Sequence, residues 1–286
     1  NKKGDMMGKT IKKYFPLFVL PTFIAFTVSF ILPFLLGICL SFSDFTTVTD
    51  ARFNGIQNYI RAFSNRDFLN ALWFTVKVAC TDIITINVFA FFLAMLLTKR
   101  IFGQNLFRTV FFMPNLIGGI VLGYIWQLII NGILHRAGVT ITYKASYGFW
   151  GLVILSNWQM IGYMMVIYIA GLQNIPPELN EAAKIDGAKP LQILKNVTVP
   201  LVMPSVTICL FLTLSNSFKM FDQNLALTAG APSKQTQMLA LDIYNTFYGS
   251  VGYEGVGQAK AAVFSVILAA VGFWQLRITG RREIEQ

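Results

Sequence analysis

The sequence predicts an all-α integral membrane protein with about six transmembrane helices. Hydrophobic residues make up 55% of the 286 residues, charged residues only 13%, and the mean hydropathy is +0.58. Soluble domains carry about 25% charged residues, so this composition is typical of a protein in lipid. Several apolar windows of about 20 residues are each long enough to cross a bilayer core of about 30 Å. The predicted spans are residues 15–40, 69–97, 107–130, 149–171, 200–221 and 259–279.

The distribution of lysine and arginine orients these spans. Basic residues cluster before the first span, between the second and third, between the fourth and fifth, and after the sixth. Alternating spans place all four clusters on one side, which the positive-inside rule identifies as the cytoplasm. We therefore expect a multi-pass protein of the cell membrane, with cytoplasmic termini at 1–14 and 281–286 and one transmembrane domain at 15–280. The net charge of +10 then reflects topology and contact with anionic membrane lipids, without nucleic acid.

The residue inventory argues against several kinds of catalytic or metal site. The cysteines, Cys39, Cys80 and Cys209, lie in separate apolar spans, and His135 is the single histidine. A zinc site or an activated nucleophile needs clusters that this inventory does not supply. The stretch GDMMGKT at 4–10 resembles a phosphate-binding loop but has one residue too few between its glycines, and no strand precedes it. We expect no metal and no cofactor in this chain.

The most polar long stretch of the chain, PPELNEAAKIDGAKPLQILKNVTVPLVMP at 176–204, separates the fourth and fifth spans. The two prolines at its start can stop the fourth span and begin a helix, whose first turns favour carboxylates. Gly187 is placed to end that helix in a left-handed cap, and Pro190 to begin a second helix that Pro200 ends before the fifth span. The loop at 172–199 is therefore predicted to form a helix–glycine–helix elbow on the membrane surface.

Two interpretations of this elbow are open from its physical chemistry. A connector that rests on lipid usually shows a wide face of Leu, Phe or Trp. The first helix of the elbow instead places Ala182 and Ala183 at the centre of a narrow face, between Leu179 and Asp186. Small side chains suit close approach by another protein surface, so docking of a protein partner is favoured over resting on lipid.

The elbow carries a motif that resembles a known family. EAAKIDGA at 181–188, with Pro200 twelve residues after its end, is similar to the EAA motif of binding-protein-dependent ABC importer permeases. The resemblance implies the type I ABC importer permease fold, in which this segment forms the coupling helices that fit a groove on a cytoplasmic ATPase subunit. The positions that it implies for ATPase coupling are Glu181, Ala182, Ala183, Ile185, Asp186 and Gly187.

Three further stretches resemble the carbohydrate-uptake permeases, notably the larger subunits of the maltose and glycerol-phosphate type. They are residues 107–129, 171–188 and 221–248; in the last, the usual T-x-G-G-P reads T-A-G-A-P at 228–232. The resemblance implies a transport subunit without enzymatic activity of its own. It also implies a second homologous permease subunit, two ATPase subunits that hold ATP and Mg, and an extracytoplasmic sugar-binding protein.

Polar side chains inside three predicted spans are candidates for the substrate site, because intramembrane polar groups usually face the bundle interior. Helical spacing gives the fourth span a polar face of Ser156, Gln159 and Tyr163, and the fifth a face of Thr213, Asn216, Ser217 and Met220. The family resemblance implies substrate-facing positions at Asn115, Ser156, Gln159, Met160, Tyr163, Thr213, Ser217 and Met220. Interhelical hydrogen bonds are the alternative role for each polar residue.

Four charged residues lie in or beside the spans. Lys219 and Asp222 are three residues apart near the outer end of the fifth span, where they can pair at the mouth of a cavity. Lys77 and Asp82 are five residues apart and do not share a face. We expect them to pair with other helices or to extend towards the interface.

Other function classes make different demands on the sequence. A permease for a phosphate ester, an amino acid or a peptide would share the elbow but should lack the block at 221–248. A membrane-embedded enzyme would need a catalytic cluster, and a secondary transporter would typically show internal repeats. Import of a carbohydrate, as a mono- or oligosaccharide, is the function that these patterns favour.

Overall fold

The structure is a computed structural model that describes residues 15, 17–99, 101–249 and 251–280. The segments predicted to be cytoplasmic, 1–14 and 281–286, lie outside the described residues. In chain order the helices are α1 (Leu17–Ser41), α2 (Gln57–Ser64), α3 (Arg66–Leu97), α4 (Gln104–Phe112), α5 (Gly119–Leu134), α6 (Ala145–Gln173), α7 (Pro177–Ile185), α8 (Pro190–Leu201), α9 (Met203–Phe218), α10 (Asp222–Leu227), α11 (Leu239–Gly249) and α12 (Glu254–Gly280).

Within the described ranges, five helices are long and apolar enough to cross a membrane: α1, α3, α5 with the short turn that follows it, α6 and α12. The pair α8 and α9 passes the same criterion together and is bent by 71°, so it supplies a sixth candidate. Each of these candidates overlaps one of the six predicted spans. The helix α3 has 32 residues, which at 1.5 Å per residue gives a length of about 48 Å, more than a bilayer core requires.

The chain forms two compact units, of which the first contains the residues through Ser64 and Thr246–Ala262. After α1, two short antiparallel strands that the sequence did not predict, β1 (Ser43–Asp44) and β2 (Arg52–Phe53), pair with each other. The Asn58 side chain is buried and donates hydrogen bonds to the carbonyl oxygens of Ser41 and Ser43, at 3.1 and 2.8 Å. One amide therefore holds the end of α1 and β1 against α2.

The turn between β1 and β2 is closed by Asp50. The Thr46 hydroxyl donates to the Asp50 carboxylate at 2.5 Å, and the backbone N–H groups of Thr46 and Thr47 each donate to it at 3.0 Å. These hydrogen bonds, led by that of the Thr46 hydroxyl, lower the pKa of Asp50 to about 2. The carboxylate is therefore charged and holds the turn at neutral pH.

The second unit contains Asn65–Asn245 and Val263–Gln286. Its centre is formed by α3, α6 and α9, each of which contacts the other two. Along the C-terminal half of α3, small residues such as Ala90 and Ala94 are fully buried and leave room for Met164 and Tyr168 of α6. Small side chains let neighbouring helices approach closely, and packing is the main source of helix association in membranes.

Two predicted spans are interrupted in this unit. The third predicted span is divided by a 3₁₀ turn, Met113–Leu116, which contains Pro114 and separates α4 from α5. The fifth span was predicted to begin at Pro200; in the structure the preceding helix continues to Leu201 and bends before α9. Pro200 and Pro204 lack the N–H groups that a straight helix would use on both sides of this bend.

Candidate functional site

A buried carboxyl group lies where α3, α6 and α9 meet. Asp82 of α3 is fully buried, and its two oxygens accept hydrogen bonds from the two other helices. The Ser156 hydroxyl donates to Oδ1 at 2.7 Å, and the Ser217 hydroxyl donates to Oδ2 at 3.0 Å. Burial of a carboxyl group without such partners is strongly unfavourable. These three residues, here called the Asp82 cluster, therefore join three helices.

A second buried contact joins the same helices. The Tyr168 hydroxyl donates to Asn87 Oδ1 at 2.8 Å, and Asn87 Nδ2 donates to the Thr213 hydroxyl oxygen at 3.2 Å. Three of the residues predicted to face substrate, Ser156, Thr213 and Ser217, thus form interhelical hydrogen bonds in this structure. This is the alternative role that the sequence left open for them.

Gln159 belongs to a different environment, on a partly exposed side of α6. Its Nε2 donates to the Ile117 carbonyl at 3.4 Å, and Gln223 Nε2 donates to Gln159 Oε1 at 2.9 Å. The Ile117 carbonyl lies in the irregular segment between α4 and α5, where the interrupted helix leaves backbone groups free to bond elsewhere. Two side-chain amides and an irregular backbone segment therefore meet at this point.

Tyr163 and Asn115 lie near the same break. The Tyr163 ring makes an edge-on contact with Phe112, with 6.3 Å between ring centroids, and both residues are partly exposed. Asn115 is also partly exposed, in the 3₁₀ turn that contacts α6. Three predicted substrate residues are therefore partly accessible around the break between α4 and α5, namely Asn115, Gln159 and Tyr163.

Two tryptophans beside these residues were not predicted as site residues. The rings of Trp126 on α5 and Trp158 on α6 are in edge-on contact, with centroids 5.7 Å apart. Trp158 is 43% exposed and lines a largely apolar cavity of about 410 Å³ beside α3 and α4. We call Asn115, Trp126, Trp158, Gln159, Tyr163 and Gln223 the amide–aromatic surface; the two amides meet at the break between α4 and α5, and Trp158, the residue before Gln159, lines the neighbouring cavity without the other five. Amides supply directed hydrogen bonds and indole rings supply flat apolar area, a combination that suits a polar solute with apolar faces.

The sequence carried signals of different strength for the three residues that were not predicted, which are Trp126, Trp158 and Gln223. Trp158 immediately precedes Gln159, so the sequence already placed it beside the predicted face. Trp126 lies in the third predicted span, and nothing in its own spacing relates it to α6. Gln223 lies in α10, a six-residue helix that contacts α5 and α6, and a sequence pattern cannot place so short a helix.

The amide–aromatic surface is positioned by a close helix contact at Gly162. A Cβ atom added to Gly162 would lie 1.8 Å from the carbonyl oxygen of Phe111 on α4. Backbone atoms at that distance cannot move aside as a flexible side chain can, so only glycine fits here. The absence of a side chain at Gly162 therefore sets the distance between α4 and α6 next to Tyr163.

Three other predicted substrate residues do not lie on this surface. Met160 and Met220 are 7% and 5% exposed and pack in two hydrophobic clusters. Asn216 is exposed, although Thr213 and Ser217 on the same predicted face are fully buried. Thr213 and Ser217 therefore contact α3, whereas Asn216 lies on the exposed side of α9.

The four charged residues in or beside the spans lie in different environments. Lys219 and Asp222 are both exposed and, within the described part of the chain, do not pair with each other. Their predicted pairing required one continuous helix, whereas α9 ends at Phe218 and α10 begins at Asp222. Lys77 is exposed with its Nζ 5.7 Å from the centroid of the Phe74 ring, and Asp82 bonds to other helices as described above.

The polar insert forms two helices joined at Gly187. The helix α7 begins at Pro177, and Gly187 follows its end with φ of +77°, the left-handed conformation that favours glycine. Its N–H donates to the Lys184 carbonyl, and that of Ala188 to the Ala183 carbonyl, each at 3.0 Å. These two hydrogen bonds form the Schellman motif, which fixes the end of the helix.

The coupling candidates on this elbow are largely exposed. No residue of α7 is buried, and Ile185 is 86% exposed. Glu181, Ala182, Asp186 and Gly187 are also exposed, and Ala183 is partly exposed. A protruding, rigidly ended helix with small side chains can enter a groove on another protein.

Comparison with known proteins places the chain in a family. The family model described as "Binding-protein-dependent transport system inner membrane component" matches residues 86–284. The chain belongs to this family. It is therefore a multi-pass membrane component of a transport system, and the family prediction made from the EAA motif is confirmed.

Two relatives show how far the similarity extends. The probable starch degradation products transport system permease protein AmyD of Thermoanaerobacterium thermosulfurigenes is 45% identical over 277 residues, 94% of each chain. The multiple sugar-binding transport system permease protein MsmF of Streptococcus mutans is 29% identical over 287 residues, 96% of this chain and 99% of that one. Both are permease subunits, which confirms a transport subunit as opposed to an enzyme.

A solved structure confirms the fold. The crystal structure of a bacterial ABC transporter involved in the import of the acidic polysaccharide alginate contains a chain that superposes with a TM-score of 0.80. The alignment covers 96% of this permease and 99% of that chain at 18% sequence identity. The predicted all-α ABC importer permease fold is therefore correct.

Proposed function

We propose that this permease is one of two transmembrane subunits of an ATP-driven importer that moves a carbohydrate into the cytoplasm. The observation that carries the proposal is the 45% identity, over 94% of both chains, to a relative named for transport of starch degradation products. Other relatives of nearly full length are named for multiple sugars and for trehalose and maltose. The proposed substrates are therefore mono- or oligosaccharides.

The proposed substrate contacts come from the amide–aromatic surface. The Gln159 and Gln223 amides already bond to each other at 2.9 Å and can exchange that bond for sugar hydroxyls. The edge-on pair of Trp126 and Trp158 offers flat apolar area for the faces of a sugar ring. The Asp82 cluster serves as the fixed frame behind this surface, because its hydroxyl groups are committed to the buried carboxyl group.

The proposed coupling element is the elbow formed by α7 and α8. Glu181, Ala182, Ile185, Asp186 and Gly187 would enter the groove of an ATPase subunit, with Ala183 at the base of the contact. ATP and Mg belong to two such partner subunits, and this chain needs no cofactor of its own. The fixed end of α7 at Gly187 lets the elbow move as a rigid body when the ATPase subunits close.

The proposed assembly also has a second, homologous permease subunit and an extracytoplasmic sugar-binding protein. Both termini and the elbow face the cytoplasm, in agreement with the positions of the basic clusters. Closure of the ATPase pair shifts the permease pair from inward-facing to outward-facing. This requires the ATP-bound ATPase to bind the outward-facing state more tightly, because a ligand shifts an equilibrium only by its difference in affinity.

The proposal is tested by ATP hydrolysis of the complete complex, purified with its own partners and reconstituted in nanodiscs. Its binding protein is loaded in turn with maltooligosaccharides, an amino acid and glycerol phosphate. We expect stimulation of hydrolysis by the maltooligosaccharide-loaded form alone. A relative named for sn-glycerol-3-phosphate transport is 28% identical over 81% of this chain, so stimulation by glycerol phosphate alone would replace carbohydrate with a phosphate ester.

A further inference from the structure

A large open cleft lies between the elbow and the end of α3. Its volume is about 1140 Å³, and its walls come from the last two turns of α3, the end of α6, and the inner sides of α7 and α8. Its lining includes Phe92, Leu96 and Leu191, which are 54%, 38% and 74% exposed. The cleft is thus a broad apolar groove that the described chain leaves open.

Two lysines line the same cleft, Lys99 at the end of α3 and Lys184 on α7. Both side chains are exposed, and neither forms an ion pair with a residue that the structure describes. No aspartate or glutamate is among the lining residues. The cleft therefore combines a long apolar wall with two cationic groups and no compensating acid.

The position of these groups relative to the apolar segment follows from α3. The helix ends at Leu97 and Lys99 follows it by two residues, so Lys99 lies just beyond the apolar segment, and lysine is favoured beside the ends of membrane spans. Phe92 and Leu96 precede Lys99 within about two turns, so the apolar wall of the cleft is continuous with the apolar surface of α3. Lys184 faces the same opening from the elbow.

We propose that this cleft binds an anionic phospholipid, with its phosphate between Lys99 and Lys184 and an acyl chain along Phe92, Leu96 and Leu191. Basic pockets at the membrane boundary recognise anionic headgroups in this way. The basic segment at 1–14 is a poor occupant, because its five lysines would be repelled by the two in the cleft. A free phosphate ion would leave the apolar wall in contact with water.

The lipid would touch both a helix of the central bundle and the proposed coupling element. The position of α7 and α8 relative to α3 would then depend on whether the lipid is bound. This dependence is additional to the proposed transport of a carbohydrate. Lipid binding is measured separately from uptake, so either proposal can fail without the other.

Native mass spectrometry of the purified complex tests the site, with phosphatidylglycerol and phosphatidylcholine offered together. We expect phosphatidylglycerol to be retained preferentially, and the double variant Lys99→Gln, Lys184→Gln to lose about tenfold or more of that preference. The matched control is Lys189→Gln, Lys195→Gln, which removes two exposed elbow lysines that do not line the cleft and should keep the preference.

The same spectra separate lipid loss from failure to assemble, because they record the intact complex and its bound lipid together. If the double variant does not assemble, each single variant should still lose part of the preference. An equal preference in the Lys99/Lys184 variants and the control would overturn the proposal. Displacement of phosphatidylglycerol by inorganic phosphate would also overturn the proposal. So would a wild-type complex that shows no lipid preference because a protein subunit fills the cleft.

Discussion

Asp82 has its two oxygens on hydroxyl groups of two other helices, and this explains how a carboxyl group is accommodated inside the bundle. Neither Ser156 nor Ser217 is exposed enough to meet a solute in this structure. The helical period correctly placed both serines on inward faces. It could not distinguish a solute pathway from a neighbouring helix, since that depends on which helix lies opposite.

Substitution of Asp82 tests whether its hydrogen bonds stabilise the contacts among α3, α6 and α9. Asp82→Leu should lower the free energy of unfolding of the complex by about 1–3 kcal/mol, because two buried hydroxyl groups lose their acceptor. Asp82→Asn keeps one carbonyl acceptor and should lose less. Thermal unfolding in detergent measures both, with Asp222→Asn as the exposed control. Unchanged stability in Asp82→Leu would show that the cluster does not hold the helices together.

The close contact at Gly162 predicts a second effect on stability. Gly162→Ala should destabilise the permease by at least 1 kcal/mol, since the new Cβ would displace the backbone of α4 or α6. The matched control is Gly132→Ala in α5, where the added Cβ has open space. That change should be neutral or stabilising by up to about 1 kcal/mol, the helix preference for alanine. Equal melting temperatures of the two variants would contradict the close contact.

The ends of the helices were more predictable from the sequence than the helices that lie beside them. Gly187 was identified from its position after an amphipathic turn, and its positive φ fits that prediction. The position of the bend before α9 could not be predicted, because prolines at 200 and 204 both suit a helix start and only tertiary packing selects between them. The helix α10 could not be predicted, since six residues carry too little periodicity.

Gly187 in the elbow provides a test of the coupling between ATP hydrolysis and uptake. Gly187→Pro should preserve assembly but uncouple ATP hydrolysis from uptake, because proline cannot adopt a φ of +77° and removes the N–H bonded to Lys184. The matched control is Gly138→Pro, at a loop glycine with φ of +67° and one comparable backbone hydrogen bond. Hydrolysis and uptake are measured on the same vesicles. Normal coupling in Gly187→Pro would remove the elbow from the mechanism.

Composition and span length alone predicted a multi-pass helical protein. The type of transporter came from the EAA motif, whose physical properties indicated only a docking surface. The approach of α5 and α10 to α6, which creates the amide–aromatic surface, depends on long-range packing that no local pattern encodes.

Orientation is tested by cysteine labelling of inside-out and right-side-out vesicles, after replacement of the three native cysteines. Lys189→Cys in the elbow should react with a membrane-impermeant maleimide only from the cytoplasmic side. Tyr143→Cys, at an exposed site between α5 and α6, should react only from the other side. Labelling of both sites from the same side would contradict the proposed topology.

The central claim is carbohydrate import, and uptake by proteoliposomes that contain the complete complex and its binding protein tests it most directly. Labelled maltooligosaccharide, amino acid and glycerol phosphate are offered separately, with ATP or a non-hydrolysable analogue inside the vesicles. We predict ATP-dependent accumulation of the maltooligosaccharide alone, weakened by Gln159→Ala. Accumulation of another solute without the sugar, or sugar uptake that does not require ATP, would contradict the account.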